Sequence, residues 1–176
     1  MIKKMFFGIL AMLALVCAGS WYYIHQNQAQ AVKAEARKTY IQSSSPTIFF
    51  HGWGSSSRAE RHIANAAKKA GVTQTIIEAK VAEDGTVTLK GTIPKDAVNP
   101  IVLVNFDNNR GASTQDQGNY AYAVVKALQD TYGIKEMNMV AHSYGNVTIV
   151  YYMLQHGSDT SLPKLVKQVD IAGHFN

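Results

Sequence analysis

The chain has 176 residues and a formal net charge of +5 at pH 7. Its single cysteine excludes an intramolecular disulfide, so a folded part of the chain must depend on its apolar core. The positive charge suits contact with anionic lipids or wall polymers. No run of Lys and Arg with interleaved aromatic residues indicates nucleic-acid binding, and we expect no nucleic-acid partner.

The first 24 residues are typical of a membrane anchor. Lys3-Lys4 precedes the apolar run Met5–Ala18, and Trp21-Tyr22-Tyr23 follows it. About 20 residues suffice to cross a hydrocarbon core of about 30 Å, and aromatic residues of these types are found at headgroup depth. We therefore predict that residues 1–24 form a transmembrane helix, with the N-terminus cytoplasmic and the rest of the chain on the extracellular face.

A cleaved signal peptide is the alternative for this end of the chain. Ala29-Gln30-Ala31 offers a small-x-small cleavage site, although it lies far from the apolar run. Cleavage there would leave a secreted protein. Residues 25–45 are polar and rich in Gln and Ala, and they predict a stalk that is either a helix or a flexible tether. Residues 46–176 remain for one domain.

Strands and helices alternate along residues 46–176. The predicted elements are strand Thr47–Phe50, helix Arg58–Ala70, strands Thr73–Val81 and Thr86–Lys90, strand Ile101–Phe106, helix Gln117–Thr131, strand Met137–Val140, helix Tyr144–Gln155 and strand Val166–Ala172. The turn Glu83-Asp84-Gly85 predicts a hairpin between the second and third strands. Strands separated by helices predict an α/β fold with a doubly wound, mostly parallel sheet, preceded by the transmembrane helix. Such sheets bind ligands at the carboxyl ends of their strands, where Asp107-Asn108-Asn109-Arg110 would border the cleft.

The most informative motif is centred on Ser143. A strand-like run, Met137–Val140, precedes the serine, and an apolar helical stretch, Val147–Leu154, follows it. Ala141 and Gly145 are the small residues two positions to either side. This pattern predicts a nucleophile elbow, a sharp turn from strand to helix that exposes the serine hydroxyl in a strained conformation.

A second motif, His51-Gly52-Trp53-Gly54-Ser55, follows the first strand. Acyl transfer needs amide donors that already point at the developing oxyanion. We predict that the backbone amides of Trp53 and Tyr144 supply them. We also predict that His51 and His142 make supporting hydrogen bonds rather than act as bases. The alternative is an ordinary turn, in which Gly52 and Gly54 adopt positive φ and Ser57 caps the following helix.

These motifs resemble the α/β-hydrolase superfamily, and in particular the membrane-anchored cell-surface hydrolases of Gram-positive bacteria classed as domain of unknown function 915. The resemblance covers the chain from Ser45 onward and is carried by Pro46–Gly54, Pro100–Arg110, Ala141–Gly145 and Val169–Gly173. The sequence departs from the family at Ala141, where the family has Gly, and at residues 174–176, where it has Pro-Phe-Asn. The resemblance implies a serine hydrolase that acts on carboxylic esters or related acyl bonds of small or lipid-like substrates.

A catalytic acid and histidine are the missing parts. In this fold they follow the serine on loops after later strands, and the chain has about thirty residues beyond Ser143. Asp170 and His174 would form a triad with Ser143 only along an unusual chain path, because they lie four residues apart on one segment. We therefore expect a hydrolase truncated at its C-terminus. The alternative is a non-catalytic remnant or a binding module that uses the same cleft.

Cofactor chemistry has no motif in this sequence. No spacing of His, Cys and carboxylate residues is typical of a metal site, and no Gly-rich phosphate loop is present. We therefore expect neither a metal nor a cofactor. The expected partners are the membrane, through the N-terminal helix, and an acyl substrate.

Overall fold

The computed structural model describes residues 2–173 and residue 175, with side chains described from residue 12 onward. It divides into two compact units, Met1–Ile41 and Gln42–Asn176. The first unit contains one helix, α1, from Ile2 to Thr39. The helix includes most of the predicted stalk, so the helical alternative for that segment holds as far as Thr39.

Apolar side chains are exposed along α1. Met12, Leu13, Leu15 and Val16 all have more than half of their surface exposed, at 69%, 58%, 74% and 59%. Within the described part of the chain, no helix combines the length and the apolarity needed to cross a membrane. The predicted anchor also includes residues 1–11, whose side chains lie outside the description, and it stays a prediction.

The second unit contains six strands and three helices among its described residues. In chain order they are β1 (Thr47–Phe50), α2 (Arg58–Lys69), β2 (Ile76–Val81), β3 (Val87–Lys90), β4 (Ile101–Phe106), α3 (Thr114–Tyr132), β5 (Glu136–His142), α4 (Gly145–His156) and β6 (Lys164–Ile171). The strands form one sheet in the order β3-β2-β4-β1-β5-β6. All neighbours are parallel except β2 and β3. The prediction of an α/β fold with a mostly parallel sheet is confirmed.

The hairpin between β2 and β3 also forms as predicted. Val81 lies opposite Val87, and Gly85 in the connecting turn has φ +84°. Asp84 accepts a hydrogen bond from the amide of Thr86 over 2.9 Å, which closes the turn locally.

The central strands are apolar on both faces because helices cover both faces. On one side, Phe49 and Leu103 pack with Ala64 of α2. On the other side, the core contains residues of α3 and α4, with Phe50, Val104, Val124, Leu128 and Ile149 among its members. Burial of both faces explains the unbroken hydrophobic runs of β1 and β4. The loops that follow β1, β4 and β5 therefore meet at the carboxyl edge of the sheet.

Two predicted boundaries in the second unit differ from the structure by three residues, the others in that unit by at most two, and at both of these a local hydrogen bond decides the outcome. α3 begins at Thr114 rather than Gln117, because Ser113 and Asp116 form a capping box that starts the helix one turn earlier. β2 begins at Ile76 rather than Thr73, because the Thr73 hydroxyl bonds to the backbone of Thr75 and holds a turn there.

β6 lies at one edge of the sheet and is paired only with β5 among the described strands. Most of its side chains are exposed, including Val166 at 45% and Val169 at 51%. The strand thus presents one unpaired backbone edge and apolar side chains to solvent.

Candidate active site

Ser143 lies on the bend between β5 and α4. It has φ +52°, a left-handed conformation that costs a non-glycine residue free energy. The backbone N–H of Ser143 donates to the carbonyl oxygen of Ile171 over 2.9 Å, which ties the bend to the end of β6. Gly145 is required at this bend, because a Cβ there would lie 2.5 Å from the carbonyl oxygen of Phe50.

The loop after β1 packs directly against this serine. A Cβ on Gly52 would lie 3.1 Å from the Cβ of Ser143 and 3.6 Å from its Oγ, so a side chain at this position would crowd the bend. Ala141, on the other side of the bend, is fully buried. Both predicted motifs therefore meet at one point of the sheet edge.

The loop from His51 to Ser55 differs from the ordinary turn that was the alternative. Gly54 has φ +64°, but Gly52 is not in the positive-φ region. Ser57 makes no side-chain cap to α2, because its hydroxyl donates to Glu78 over 2.9 Å. The Ser57 cap that belongs to the ordinary-turn alternative is therefore not formed.

The two predicted oxyanion donors are the backbone amides of Trp53, in this loop, and Tyr144, after the bend. Gly54 N–H donates to the carbonyl of Asn109 over 2.8 Å, and Ser55 N–H donates to the carbonyl of Gly52 over 3.2 Å. Within the described residues, the Trp53 N–H donates no hydrogen bond. Tyr144 is the residue that precedes α4, with helical φ and ψ, so its amide lies at the N-terminal end of that helix, where the helix dipole favours negative charge.

His51 is engaged at both ring nitrogens. Its Nδ1 lies 2.9 Å from the carbonyl oxygen of Gly52, and its Nε2 accepts the N–H of Phe106 over 3.2 Å. Burial lowers the pKa of His51, against a smaller opposing effect of the Gly52 hydrogen bond. The ring is therefore neutral with its proton on Nδ1, and it joins the loop after β1 to the end of β4.

Two further predicted polar residues, His142 and Asp170, form no hydrogen bond with the serine hydroxyl among the described residues. His142 is exposed at the end of β5. Asp170 is opposite Ala141 in the β5–β6 register, and its carboxylate accepts a hydrogen bond from Gln168 over 2.8 Å. His174 lies outside the described residues. Among the residues that are described, no imidazole or carboxylate forms a hydrogen bond with Ser143 Oγ.

Asn146 is a site residue that sequence reasoning missed. It is fully buried, and its Nδ2 donates to the carbonyl oxygens of Ser143 at 2.7 Å and Ile171 at 3.3 Å. Its Oδ1 is buried without a partner in the described structure. The sequence signal for Asn146 was weak: it is a polar residue directly before the apolar stretch that begins at Val147, a position where an amphipathic helix has no need of an amide side chain.

The rim of the site is built from Trp53 and Arg110. Trp53 is 59% exposed, and the Arg110 guanidinium lies over its ring at 5.1 Å from the centroid. The indole N–H donates to the carbonyl of Arg110 over 3.3 Å. Asn109 Nδ2 donates to the carbonyl of Ser55 over 2.6 Å, so the loop after β4 supports the loop after β1 at several points.

The open space at this edge is a shallow depression lined by His51, Gly52, Trp53, Phe106, Asn109, Gln117 and Tyr144. A larger cavity of about 740 Å³ lies elsewhere, lined by residues such as Ser45 and Glu136 at the amino ends of the strands. We assign the candidate site to the depression, because ligands of parallel sheets bind beyond the carboxyl ends of the strands. Within the described part of the chain, no cluster of His, Cys, Asp and Glu could hold a metal ion.

Comparisons with known proteins place this geometry in context. A family model described as an alpha/beta hydrolase of unknown function, DUF915, matches residues 34–176. No curated protein matches the chain. Among solved structures, the product of gene lin2722 of Listeria innocua is 26% identical with a TM-score of 0.68, over 73% of this chain and 51% of that chain.

A second solved structure, described as a "putative cell surface hydrolase" of Lactobacillus plantarum WCFS1, is 24% identical with a TM-score of 0.57. The likeness covers 70% of this chain and 50% of that chain, and it shows a shared fold. The chain thus spans about half the length of these two solved relatives.

Proposed function

The chain belongs to the alpha/beta-hydrolase family of unknown function DUF915, and on this basis we propose that it is part of a cell-surface serine hydrolase that acts on carboxylic esters or related acyl bonds. The observation that carries the proposal is the conformation of Ser143. A serine held at φ +52° between a parallel strand and a helix has the strained conformation that a nucleophile elbow requires.

In the proposed reaction, Ser143 Oγ attacks the carbonyl carbon of the ester, and the hydroxyl proton passes to a histidine. The carbonyl oxygen becomes an anion, which the amides of Trp53 and Tyr144 stabilise. The leaving alcohol takes the proton from the histidine, and a water molecule then releases the acyl group from the serine. Gly52 and Gly145 support this arrangement because each allows a close backbone approach at the bend.

The histidine and its carboxylate partner are not assigned to the described residues. Both nitrogens of His51 are engaged, and Asp170 bonds to Gln168. We place both groups in the part of the enzyme that corresponds to the half of the solved relatives that this chain does not cover. His174 with Asp170 is the other source within this sequence.

Covalent labelling of the full chain with a fluorophosphonate tests the function. Because the histidine is placed outside the described residues, we expect the wild type alone to label slowly, with labelling that is lost in Ser143→Ala and kept in Ser158→Ala, a control at an exposed serine after α4. Adding a separately expressed C-terminal half of a family member should increase the labelling rate if that half supplies the histidine. Equal labelling of the Ser143→Ala and Ser158→Ala variants would refute Ser143 as the nucleophile.

A non-catalytic binding module is the second candidate. It is favoured by one observation, that no described imidazole forms a hydrogen bond with Ser143 Oγ. In that case a folded sample stays unlabelled both alone and with the added half, while ligands still bind in the cleft.

Attachment to the membrane through residues 1–24 is also a proposal. Lys3-Lys4 before the apolar run and the exposed apolar side chains from Met12 onward support it. If the helix is an uncleaved anchor, the intact chain stays in the membrane fraction after alkaline carbonate extraction. Secretion after cleavage would instead give a soluble protein whose N-terminus, determined by mass spectrometry, lies near residue 32.

A further inference from the structure

Arg110 is a cation at the rim of the candidate site. Among the described residues, its guanidinium forms no ion pair and donates no hydrogen bond. The neighbouring acidic groups are already used: Asp107 pairs with Lys80 at 2.9 Å, and Asp116 accepts hydrogen bonds from Ser113 in the capping box of α3.

The guanidinium is held in place although it is exposed. One face lies over the Trp53 ring at 5.1 Å. A Cβ added to Gly54 would lie 3.1 Å from Arg110 Nε, so the side chain also rests against the backbone of that glycine. The Arg110 carbonyl accepts the Trp53 indole N–H, which couples the two residues through the main chain as well.

A Cβ on Gly54 would lie closer to Arg110 Nε and Nη2, at 3.1 and 3.4 Å, than to Cζ, at 3.6 Å, so Gly54 lies beside the Nε–Nη2 edge and the Nη1 side of the guanidinium faces away from it. Stacking uses the face of the planar group, whereas its N–H donors point outward in the plane and match two oxygens of a phosphate or carboxylate. Trp53 provides an apolar surface beside this edge, and Gly52 of the same loop approaches the hydroxyl of Ser143. The loop from His51 to Ser55 is thus shared by both groups: its Gly52 approaches Ser143, and its Trp53 and Gly54 lie against Arg110.

We propose that Arg110, stacked on Trp53, is the specificity-determining residue of the cleft and selects acyl substrates that carry a phosphate or carboxylate group next to an apolar portion. The inference rests on the proposed function for the reaction, but the anion site itself requires only binding. A phosphate of this kind occurs in a lipid headgroup and in a soluble phosphorylated ester, and the Arg110 edge recognises the chemistry they share.

Trp53 fluorescence provides the test on the full chain. The sequence has two tryptophans, so a Trp21→Phe background makes Trp53 the sole indole. Hexyl phosphate, hexanol and hexyltrimethylammonium share one apolar chain and differ in charge, and each is titrated while Trp53 emission is recorded. We expect hexyl phosphate to bind at least about tenfold more tightly than the other two, because only the phosphate accepts charge-assisted hydrogen bonds from the guanidinium.

Variants of arginine identify the residue responsible. Arg110→Gln should lose about tenfold in affinity for hexyl phosphate with little change for hexanol, and Arg110→Lys should keep part of the preference. Arg58→Gln removes the same charge from another exposed arginine and should bind like the wild type. Circular dichroism of each variant checks that the fold is retained. Equal binding of hexyl phosphate by Arg110→Gln and Arg58→Gln, or equal binding of all three ligands by the wild type, would overturn the proposal.

Two further arms separate the ligand sources and the two proposals. A response of Trp53 to vesicles of phosphatidylglycerol, absent with phosphatidylcholine and lost in Arg110→Gln, assigns the site to a lipid headgroup, whereas a response to hexyl phosphate alone assigns it to a soluble ester. Fluorophosphonate labelling is measured on the same samples with the separately expressed C-terminal half added. Phosphate selectivity without labelling would support the anion site and refute the proposed hydrolase function. Labelling without phosphate selectivity would support the hydrolase function and refute the anion site.

Discussion

The backbone N–H of Ser143 donates a hydrogen bond to the carbonyl oxygen of Ile171 over 2.9 Å. This bond connects the bend after β5 to the end of β6, the edge strand of the sheet. Asn146 reinforces the connection, because its Nδ2 donates to the carbonyl oxygens of both residues. The geometry of Ser143 therefore depends on a strand that begins more than twenty residues after it in the chain.

Substitution of Asn146 tests this connection. Asn146→Ala removes two buried donors and should lower the free energy of unfolding by about 1–3 kcal/mol. Asn146→Asp keeps the shape but places a carboxylate against two carbonyl oxygens, so we expect a larger loss than with alanine. Chemical denaturation of the full chain followed by circular dichroism measures both. An aspartate variant as stable as the wild type would show that the side chain does not hold the bend.

Gly145 is expected to be the least replaceable glycine of the bend. In Gly145→Ala the new Cβ would meet the backbone oxygen of Phe50 at 2.5 Å, and a backbone atom cannot move aside as a flexible side chain can. We expect a loss of about 3 kcal/mol.

A second glycine serves as the matched control for this prediction. Gly133 has φ +65° but open space around a Cβ. Gly133→Ala should cost about 1 kcal/mol, through backbone strain alone. Thermal unfolding that ranks Gly133→Ala as the more destabilised variant would contradict the close approach at Gly145.

The folded protein should lose stability as the pH falls because of His51. Burial lowers the pKa of this histidine below its ordinary value of 6.5, so the folded state binds its proton less readily than the unfolded state. The stabilising contribution is therefore complete above pH 6.5 and is lost as the pH falls through the depressed pKa. Glu60 acts in the opposite direction, because burial raises its pKa and its contribution is lost as the pH rises.

The variant His51→Asn separates these two groups, since it keeps a donor and an acceptor but does not titrate. Unfolding midpoints are measured from pH 8 to pH 5 for the wild type and the variant. We expect the wild type to lose more stability over this range than His51→Asn. Parallel curves for the two proteins would mean that His51 is not the acid-sensitive group.

The sequence was sufficient where the signal is local. Strand β1 begins and ends as predicted, and so does β4, because continuous apolar runs bounded by polar residues mark strands buried on both faces. The sequence around Ser143 was informative for a similar reason. A strand, a serine between small residues and an apolar helix are adjacent in the chain, so their pattern can be read without knowledge of distant contacts.

Distant contacts are what the sequence did not reveal. Gly54 bonds to Asn109, and Trp53 bonds to Arg110, across more than fifty residues of chain. Neither pair has a pattern of its own, because the partners are defined only once β1 and β4 lie side by side. The position of Asn146 beneath the bend also depends on β6. The local sequence pattern therefore predicted the bend at Ser143, whereas the distant groups that hold this bend are seen only in the structure.

The exposed edge of β6 leads to a prediction about association. An edge strand offers unpaired N–H and C=O groups to another strand, and Val169 adds an apolar side chain that is 51% exposed. We expect the full chain in mild detergent, which shields the apolar residues of α1, to associate increasingly with concentration.

Val169→Lys should reduce this association, because a charge on an edge strand opposes pairing with a second strand. Thr160→Lys adds the same charge at an exposed position outside the strand and should not. Sedimentation velocity over a range of concentrations compares the three proteins, and equal association of both lysine variants would place the contact elsewhere on the molecule.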